Sequence, residues 1–112
     1  MSLEKYESAI QACLACAVRC ESCASYCLTE HEIQTMTRCM ELTKNCAAIS
    51  ILAARFLASG SEFVTQVCDL CADICEACAE ECDRHYMDHC KDCYQACLEC
   101  AEECRKISLE YV

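Results

Sequence analysis

The chain has 112 residues, a formal net charge of −10, one glycine and no proline, and 17 of its residues are cysteine. This length predicts a single domain over residues 1–112 and is too short for two domains of ordinary size. The acidic charge argues against a nucleic-acid partner, because nucleic-acid binding selects clustered Lys and Arg. It suits a soluble protein that attracts cations.

A first helix is predicted over about residues 3–27. The start of the chain has no positively charged segment followed by an apolar run, which indicates neither a secretory signal nor a transit peptide and predicts a cytoplasmic protein. No apolar run approaches the length that spans a bilayer, so we expect no membrane partner. Five cysteines recur at spacings of 3, 4, 3 and 4, which places them on one helical stripe: Cys13, Cys16, Cys20, Cys23 and Cys27.

A second helix is predicted over about residues 31–58, with the same rhythm but fewer thiols. Thr29 and Glu32 match a capping box at its start, and Gly60 suits its C-terminal stop. Residues 47–58 are apolar nearly all round, which is unusual for a helix with one side in water, so we expect this part to pack on another copy of the chain. The spacing of three and four residues assigns these positions to the core: Thr35, Cys39, Leu42, Cys46, Ile49, Ala53 and Phe56. The outer face comprises Ile51, Ala54 and Ala58.

Two further helices are predicted over about residues 62–84 and 88–108. Ser61 suits the N-cap of the third helix, whereas Asp88 is a weaker candidate for the fourth. Both helices repeat the five-cysteine ladder of the first, so the three ladders amount to an internal repeat. Their cysteines are Cys68, Cys71, Cys75, Cys78 and Cys82, followed by Cys90, Cys93, Cys97, Cys100 and Cys104.

Short connections between these helices predict an all-α fold, an antiparallel up-down-up-down four-helix bundle with a cysteine-lined core. The register predicts levels of sulfur across the bundle, with an apolar plug at the end away from Cys27. One level should hold Cys23, Cys39, Cys78 and Cys93, and another Cys16, Cys46, Cys71 and Cys100. The plug should comprise Tyr6, Ile10, Phe56, Phe63, Val64, Ile107 and Tyr111.

Thiols at so many core positions predict metal binding. Buried cysteine can act as a small hydrophobe, but a whole seam of it would underpack the core, at roughly 1 kcal/mol per missing methylene. That sum threatens a domain whose stability is only about 5–15 kcal/mol. Disulfides are a second alternative; the odd cysteine count leaves one thiol unpaired, and i,i+4 neighbours lie too far apart on a regular helix.

The metal is predicted from charge and ligand softness. Thiolates select Cu(I), zinc or iron–sulfur clusters. One monovalent ion per thiolate leaves the core neutral, whereas four thiolates around each Zn²⁺ leave uncompensated charge in a low dielectric. We therefore expect multiple Cu(I) ions per chain, with i,i+4 pairs clasping single ions along a helix: Cys16–Cys20, Cys23–Cys27, Cys71–Cys75, Cys78–Cys82, Cys93–Cys97 and Cys100–Cys104.

The three histidines all map to the end of the bundle opposite the plug. Imidazole and thioether groups are reasonable relay ligands for copper there, although histidines near helix ends are often simply solvated or paired with the helix dipole. The metal-ligand prediction therefore adds His31, His85 and His89 to all 17 cysteines, and Met36 and Met87 share that end.

No acid–base pair, nucleophile set or phosphate loop is discernible in the sequence, and paired glutamates such as Glu80–Glu81 are expected on the solvated face. We expect no enzyme activity.

With its three cysteine ladders and its sparser Cys39 and Cys46, the chain resembles the bacterial copper storage proteins of the cytosolic type. The resemblance covers essentially the whole chain. It implies a four-helix bundle whose core holds many Cu(I) ions on thiolates, a homotetramer, and histidine or methionine near the last thiols of the open end.

Three interpretations remain open on the sequence: storage or sequestration of Cu(I), a metallothionein-like buffer for zinc or cadmium, and a helical interaction module with incidental cysteines.

Overall fold

The computed structural model describes residues 3–110, and within this range the chain forms four α-helices and no strand. The helices are α1 (Glu7–Cys27), α2 (Thr37–Ser59), α3 (Val64–Cys82) and α4 (Asp88–Glu110), and two 3-10 turns, Leu3–Tyr6 and Ile33–Met36, precede α1 and α2.

Each helix packs against two neighbours, so that the four form a closed ring in chain order. Sulfur contacts show that α1 and α4 are antiparallel, because Cys13 meets Cys104 while Cys23 meets Cys90. The bundle is a rod with extents of 48 × 20 × 17 Å. The predicted up-down-up-down four-helix bundle is confirmed.

The inward seam of every helix alternates cysteine with small residues. The cysteines lie at i, i+3 and i+4 positions and so share one face, while the flanking alanines, such as Ala17, Ala72 and Ala101, are also buried and let the helices approach closely. Glutamates and lysines occupy the outer faces. Among the described residues no helix is long and apolar enough to cross a membrane.

The end of α2 follows the prediction. Gly60 adopts the left-handed conformation (φ 66°, ψ 40°), which causes no steric strain because glycine has no Cβ. Its N–H donates to the Leu57 carbonyl and the Ser61 N–H donates to the Phe56 carbonyl, which together form a Schellman motif. The Ser61 hydroxyl accepts the Phe63 N–H at 3.0 Å within the turn before α3, but α3 begins at Val64, so Phe63 rather than the predicted Ser61 occupies the N-cap position.

The predicted start of α2 at residue 31, with its capping box, is wrong. The Thr29 hydroxyl donates backwards to the Tyr26 carbonyl at 2.8 Å, and the Glu32 carbonyl accepts the Thr35 hydroxyl at 2.8 Å. These hydrogen bonds close turns that carry the chain across the end of the bundle, and the α-helix begins only at Thr37. The α-helix predicted from about residue 3 begins at Glu7, after the 3-10 turn Leu3–Tyr6; the other helix ends lie within two residues of the predicted ones, and Asp88 is the first residue of α4.

The apolar plug closes one end of the bundle, with two corrections. Tyr6, Val64 and Ile107 are buried as predicted, and Ile10 and Phe56 are half-buried. Phe63 is instead 52% exposed, since it precedes α3 in the turn, and the fully buried Leu57 takes part in the packing. Tyr111 lies outside the described residues.

Candidate metal centre

All 17 cysteines are free thiols and all are buried, with at most 1% of any one exposed. They line the axis of the bundle from the plug to the opposite end, which we call the open end and define by Cys23, Cys27, Cys39, Cys82 and Cys90. Many of their sulfur atoms lie within 4.0 Å of one another across the helices, so sulfur forms much of the centre of the core.

The sulfur atoms lie close enough to share ions. The shortest Sγ–Sγ distance, Cys46 to Cys75, is 3.4 Å, and Cys13 to Cys104 and Cys20 to Cys93 are both 3.6 Å. These distances exceed a disulfide bond of about 2.05 Å. A metal about 2.3 Å from each sulfur would bridge such pairs after little movement. Three of the predicted i,i+4 pairs have their sulfurs 3.9 Å apart: Cys16–Cys20, Cys71–Cys75 and Cys93–Cys97.

The sulfurs fall into overlapping groups whose atoms all lie within 4.8 Å of one another. Cys20 and Cys97 each belong to two of the four-sulfur groups. Independent four-coordinate sites therefore cannot all be filled at once, whereas bridging thiolates can serve neighbouring ions. The groups include Cys13/Cys71/Cys100/Cys104, Cys16/Cys20/Cys46/Cys97, Cys20/Cys78/Cys93/Cys97, Cys16/Cys75/Cys100 and Cys23/Cys39/Cys90.

The predicted levels are correct within the α1–α2 pair and partly correct between the two halves of the bundle, where Cys100 shares a group with Cys16 as predicted. Cys16 meets Cys46, and Cys23 shares a group with Cys39, as predicted. Cys78 and Cys93, however, group with Cys20 rather than with Cys23. The α3 sulfur that contacts both Cys16 and Cys46 is that of Cys75, which lies one helical turn further along α3 than the predicted Cys71.

Burial and close sulfur–sulfur contacts shift the pKa values of the thiols. Hydrogen bonds from Cys100, Cys20 and other thiols lower the pKa of Cys16, because they stabilise its thiolate. Contact with Cys100 and other sulfurs raises the pKa of Cys75. At the open end, burial and then the neighbouring Cys39 raise the pKa of Cys27 to about 12. The metal-free core therefore keeps many of its protons at neutral pH, and each Cu(I) that binds must displace them.

His89 is the histidine that the structure brings to the thiols. Its Nδ1 lies 3.2 Å from the Cys23 Sγ and 3.6 Å from the Cys90 Sγ. On the other side of the ring, Nε2 lies 2.8 Å from a carboxylate oxygen of Glu30, which belongs to the turn after α1. The Tyr26 ring stacks on the imidazole at 5.6 Å. This placement agrees with the predicted ligand role of His89.

The other two histidines lie near the open end but away from the observed sulfur contacts. The His85 Nε2 lies 2.9 Å from the Glu81 Oε2, one turn earlier on α3, and His31 is exposed in the turn before α2. Glu81 was expected on the solvated face but is only 6% exposed, and the Arg38 Nε lies 3.6 Å from its other oxygen.

A cavity of about 390 Å³ lies at the open end. It is lined by residues from the two turns there: Glu30, His31, Glu32, Thr35, Arg84, His85, Tyr86 and Met87.

The methionines of the open end differ in their positions. Met36 is fully buried in the core, Met87 is half-buried and lines the cavity, and Met40 packs partly against the core.

Two buried hydroxyls within the core have no counterpart in the sequence predictions. Ser50 is fully buried on α2, and its Oγ lies 3.8 Å from the Cys71 Sγ and 3.9 Å from the Cys100 Sγ. Thr43 is also fully buried, but its hydroxyl donates to the Cys39 carbonyl of its own helix at 2.8 Å. Thr43 and Ser50 follow Cys39 and Cys46 by four residues each, a spacing that could have identified them as core positions.

Comparison with known proteins gives concordant results. Residues 2–109 of the chain match the sequence model of a protein family described as copper storage protein. The uncharacterized cysteine-rich protein YhjQ of Bacillus subtilis (strain 168) is 42% identical over 90 residues, which is 80% of this chain and 83% of that protein.

Two solved structures are similar over nearly the whole chain. Apo-Csp3, copper storage protein 3 from Bacillus subtilis, is 42% identical and superposes with a TM-score of 0.87, covering 91% of this chain and 97% of its own. A cytosolic copper storage protein from Streptomyces lividans, described with five coppers, is 31% identical with a TM-score of 0.91, covering 96% and 94% of the two chains.

Proposed function

The chain belongs to the copper storage protein family, and from that membership we propose that its buried cysteines are the ligands of the Cu(I) ions it stores. The observation that carries this proposal is the continuous run of buried sulfurs from plug to open end. A soft, monovalent ion neutralises one thiolate, so a row of such ions can fill a low-dielectric core without stacked charge.

The Cu(I) assignment is favoured over a zinc or cadmium buffer by the shared sulfurs. Zinc prefers four thiolates held in one tetrahedral site, and the four-sulfur groups of this core compete for Cys20 and Cys97. Storage also needs no reacting substrate, so we expect no catalytic activity, and we place the protein in the cytoplasm, as its Streptomyces lividans relative is described.

Anaerobic titration of the reduced protein with Cu(I), against a competing chelator, should saturate near one ion per cysteine, on the order of 17 per chain. Every sulfur contributes one negative charge when ionised, and one Cu(I) balances it. Copper is measured by the chelator's absorbance and by metal analysis after desalting. Saturation at four to five Zn²⁺ with weak Cu(I) retention would instead support the zinc buffer, and retention of neither metal would support a helical interaction module.

We also propose that the chain self-associates, forming the tetramer that the family resemblance implies, through the outer face shared by α1 and α2. Val18 is 67% exposed and Ile51 is 43% exposed there. They border an apolar groove of about 550 Å³ that is also lined by Ala17, Ala47 and Ala48. Of the outer residues predicted on α2, Ile51 and Ala58 are exposed, whereas Ala54 is buried within the bundle.

A charged residue in this groove should dissociate the assembly. Ile51→Glu places a carboxylate in an apolar contact, where an unpaired charge is costly, so the mass measured by light scattering should fall below that of the parent assembly. Leu109→Glu is the matched control, since Leu109 is 67% exposed on α4, away from the groove. Unchanged mass for Ile51→Glu, or equal dissociation by both variants, would contradict this interface.

A further inference from the structure

The His89 ring at the open end is held on three sides. Its Nε2 lies 2.8 Å from the Glu30 Oε2, the Tyr26 ring stacks on it with an interplanar angle of 22°, and its Nδ1 faces the sulfurs of Cys23 and Cys90. The side chains of His89 and Glu30 are 13% and 26% exposed, so the carboxylate–imidazole contact is largely shielded from water.

The carboxylate determines which nitrogen of the neutral ring carries the proton. A carboxylate oxygen can only accept a hydrogen bond, so the Nε2–H must donate to Glu30. The Nδ1 of that tautomer has a free lone pair, and its position between two sulfurs directs the lone pair at the place where an ion would meet them. In metal sites, a carboxylate on the far nitrogen fixes the ring in this way and raises its basicity as a ligand.

We propose that Glu30 is a positioning residue that fixes the Nε2–H tautomer of His89, so that Nδ1 and the sulfurs of Cys23 and Cys90 form the first capture site for Cu(I). This inference rests on the proposed storage function and adds the residue that prepares its outermost site. A Cu(I) ion that enters at the open end would meet the His89 Nδ1 and the two sulfurs together, before it passes to the all-sulfur groups deeper in the bundle.

The neighbouring acidic residues are not placed to act in the same way. The buried carboxylate of Glu81 on α3 contacts the Nε2 of His85 in the turn that follows, and His85 makes none of the sulfur contacts described for His89. Glu32 lines the same cavity as Glu30 and is exposed. Glu32 is therefore a matched control for any general attraction of cations by negative charge.

The test compares the affinity for the first equivalent of Cu(I) among Glu30→Ala, Glu30→Gln, Glu32→Ala and the parent protein, by competition with a chromophoric chelator. Glu30→Ala should weaken that affinity by about 10-fold, the lower end of the usual effect of removing such a carboxylate. Glu30→Gln should stay close to the parent, because its amide oxygen still accepts the Nε2–H. Glu32→Ala should match the parent. A Glu30→Gln variant as weak as Glu30→Ala, or an equal loss in Glu32→Ala, would show that charge alone acts and would overturn the proposal.

Two further measurements separate positioning from a general structural role. In a His89→Ala background, Glu30→Ala should cause no additional loss, and an additive loss would overturn the proposal. Nitrogen-15 NMR of the metal-free parent should show a protonated Nε2 and a bare Nδ1 at His89, with a mixture of tautomers in Glu30→Ala. The Glu32→Ala control should bind the same total number of ions as the parent. A parent protein that fails to fill its core would contradict the storage function itself, which is a distinguishable result.

Discussion

A variant with all 17 cysteines replaced by alanine should retain no Cu(I) against a competing chelator, whereas the parent fills its core. Apart from the buried thioether of Met36 and the imidazole of His89, the thiols supply the soft ligands of the core, and the exposed carboxylates that remain are hard ligands that Cu(I) does not favour. Copper is measured after desalting, and far-UV circular dichroism reports whether the helices persist. If the alanine variant held as many ions as the parent, the thiol core could not be the store.

Because 17 alanine substitutions could prevent folding, a variant with only four substitutions tests the same point. Replacing Cys16, Cys20, Cys46 and Cys97 with alanine removes one four-sulfur group and should lower the capacity by about four ions, one per thiolate. The matched control is Leu57→Ala in the apolar plug, which should cost about 2–5 kcal/mol of stability yet bind as many ions as the parent. An equal loss of copper in the control would mean that destabilisation, rather than lost ligands, explains the effect.

Filling the core with Cu(I) should raise the melting temperature by tens of degrees. A ligand that binds only the folded state at about a thousand times its dissociation constant adds about 4 kcal/mol per site. Three such ions would match the whole stability of an ordinary domain, about 5–15 kcal/mol. For a chain of this size each kcal/mol is worth roughly 4–8 °C, so the fully loaded protein should show no transition below about 90 °C.

Anaerobic thermal denaturation followed by circular dichroism checks this expectation at increasing copper-to-protein ratios. Removing the copper with excess chelator should return the melting temperature to that of the metal-free protein, which controls for irreversible change. A melting temperature that stays constant on loading would indicate that copper sits outside the core, on groups that are equally available in the unfolded chain.

The features that the sequence predicts well are those set by local periodicity. Cysteines at spacings of 3 and 4 can share one helical face only if the segment is a helix, and Gly60 is the one residue free to take a left-handed conformation without strain. The inward orientation of the thiols and the end of α2 therefore followed from neighbouring residues alone.

The features that the sequence misses depend on how the helices meet. Glu80 and Glu81 are adjacent and chemically identical, and only the packing of α2 on α3 determines that Glu81 is buried beside Arg38. Which histidine reaches the sulfurs depends on the path of the turn after α1, which brings Glu30 to His89 on α4. A shift of one turn in which α3 sulfur meets those of α1 and α2 likewise leaves each helix's own pattern unchanged.

The apolar plug closes one end of the sulfur core, so we expect copper to enter and leave through the open end. With Tyr6, Val64 and Ile107 sealing the far end, an ion near Cys13 and Cys104 can leave only past every ion that arrived after it. We therefore expect the core to release its ions in the reverse order of binding, so that the copper bound first is the least available to the cell. The depth of a sulfur in the rod thus becomes a measure of how long its ion stays.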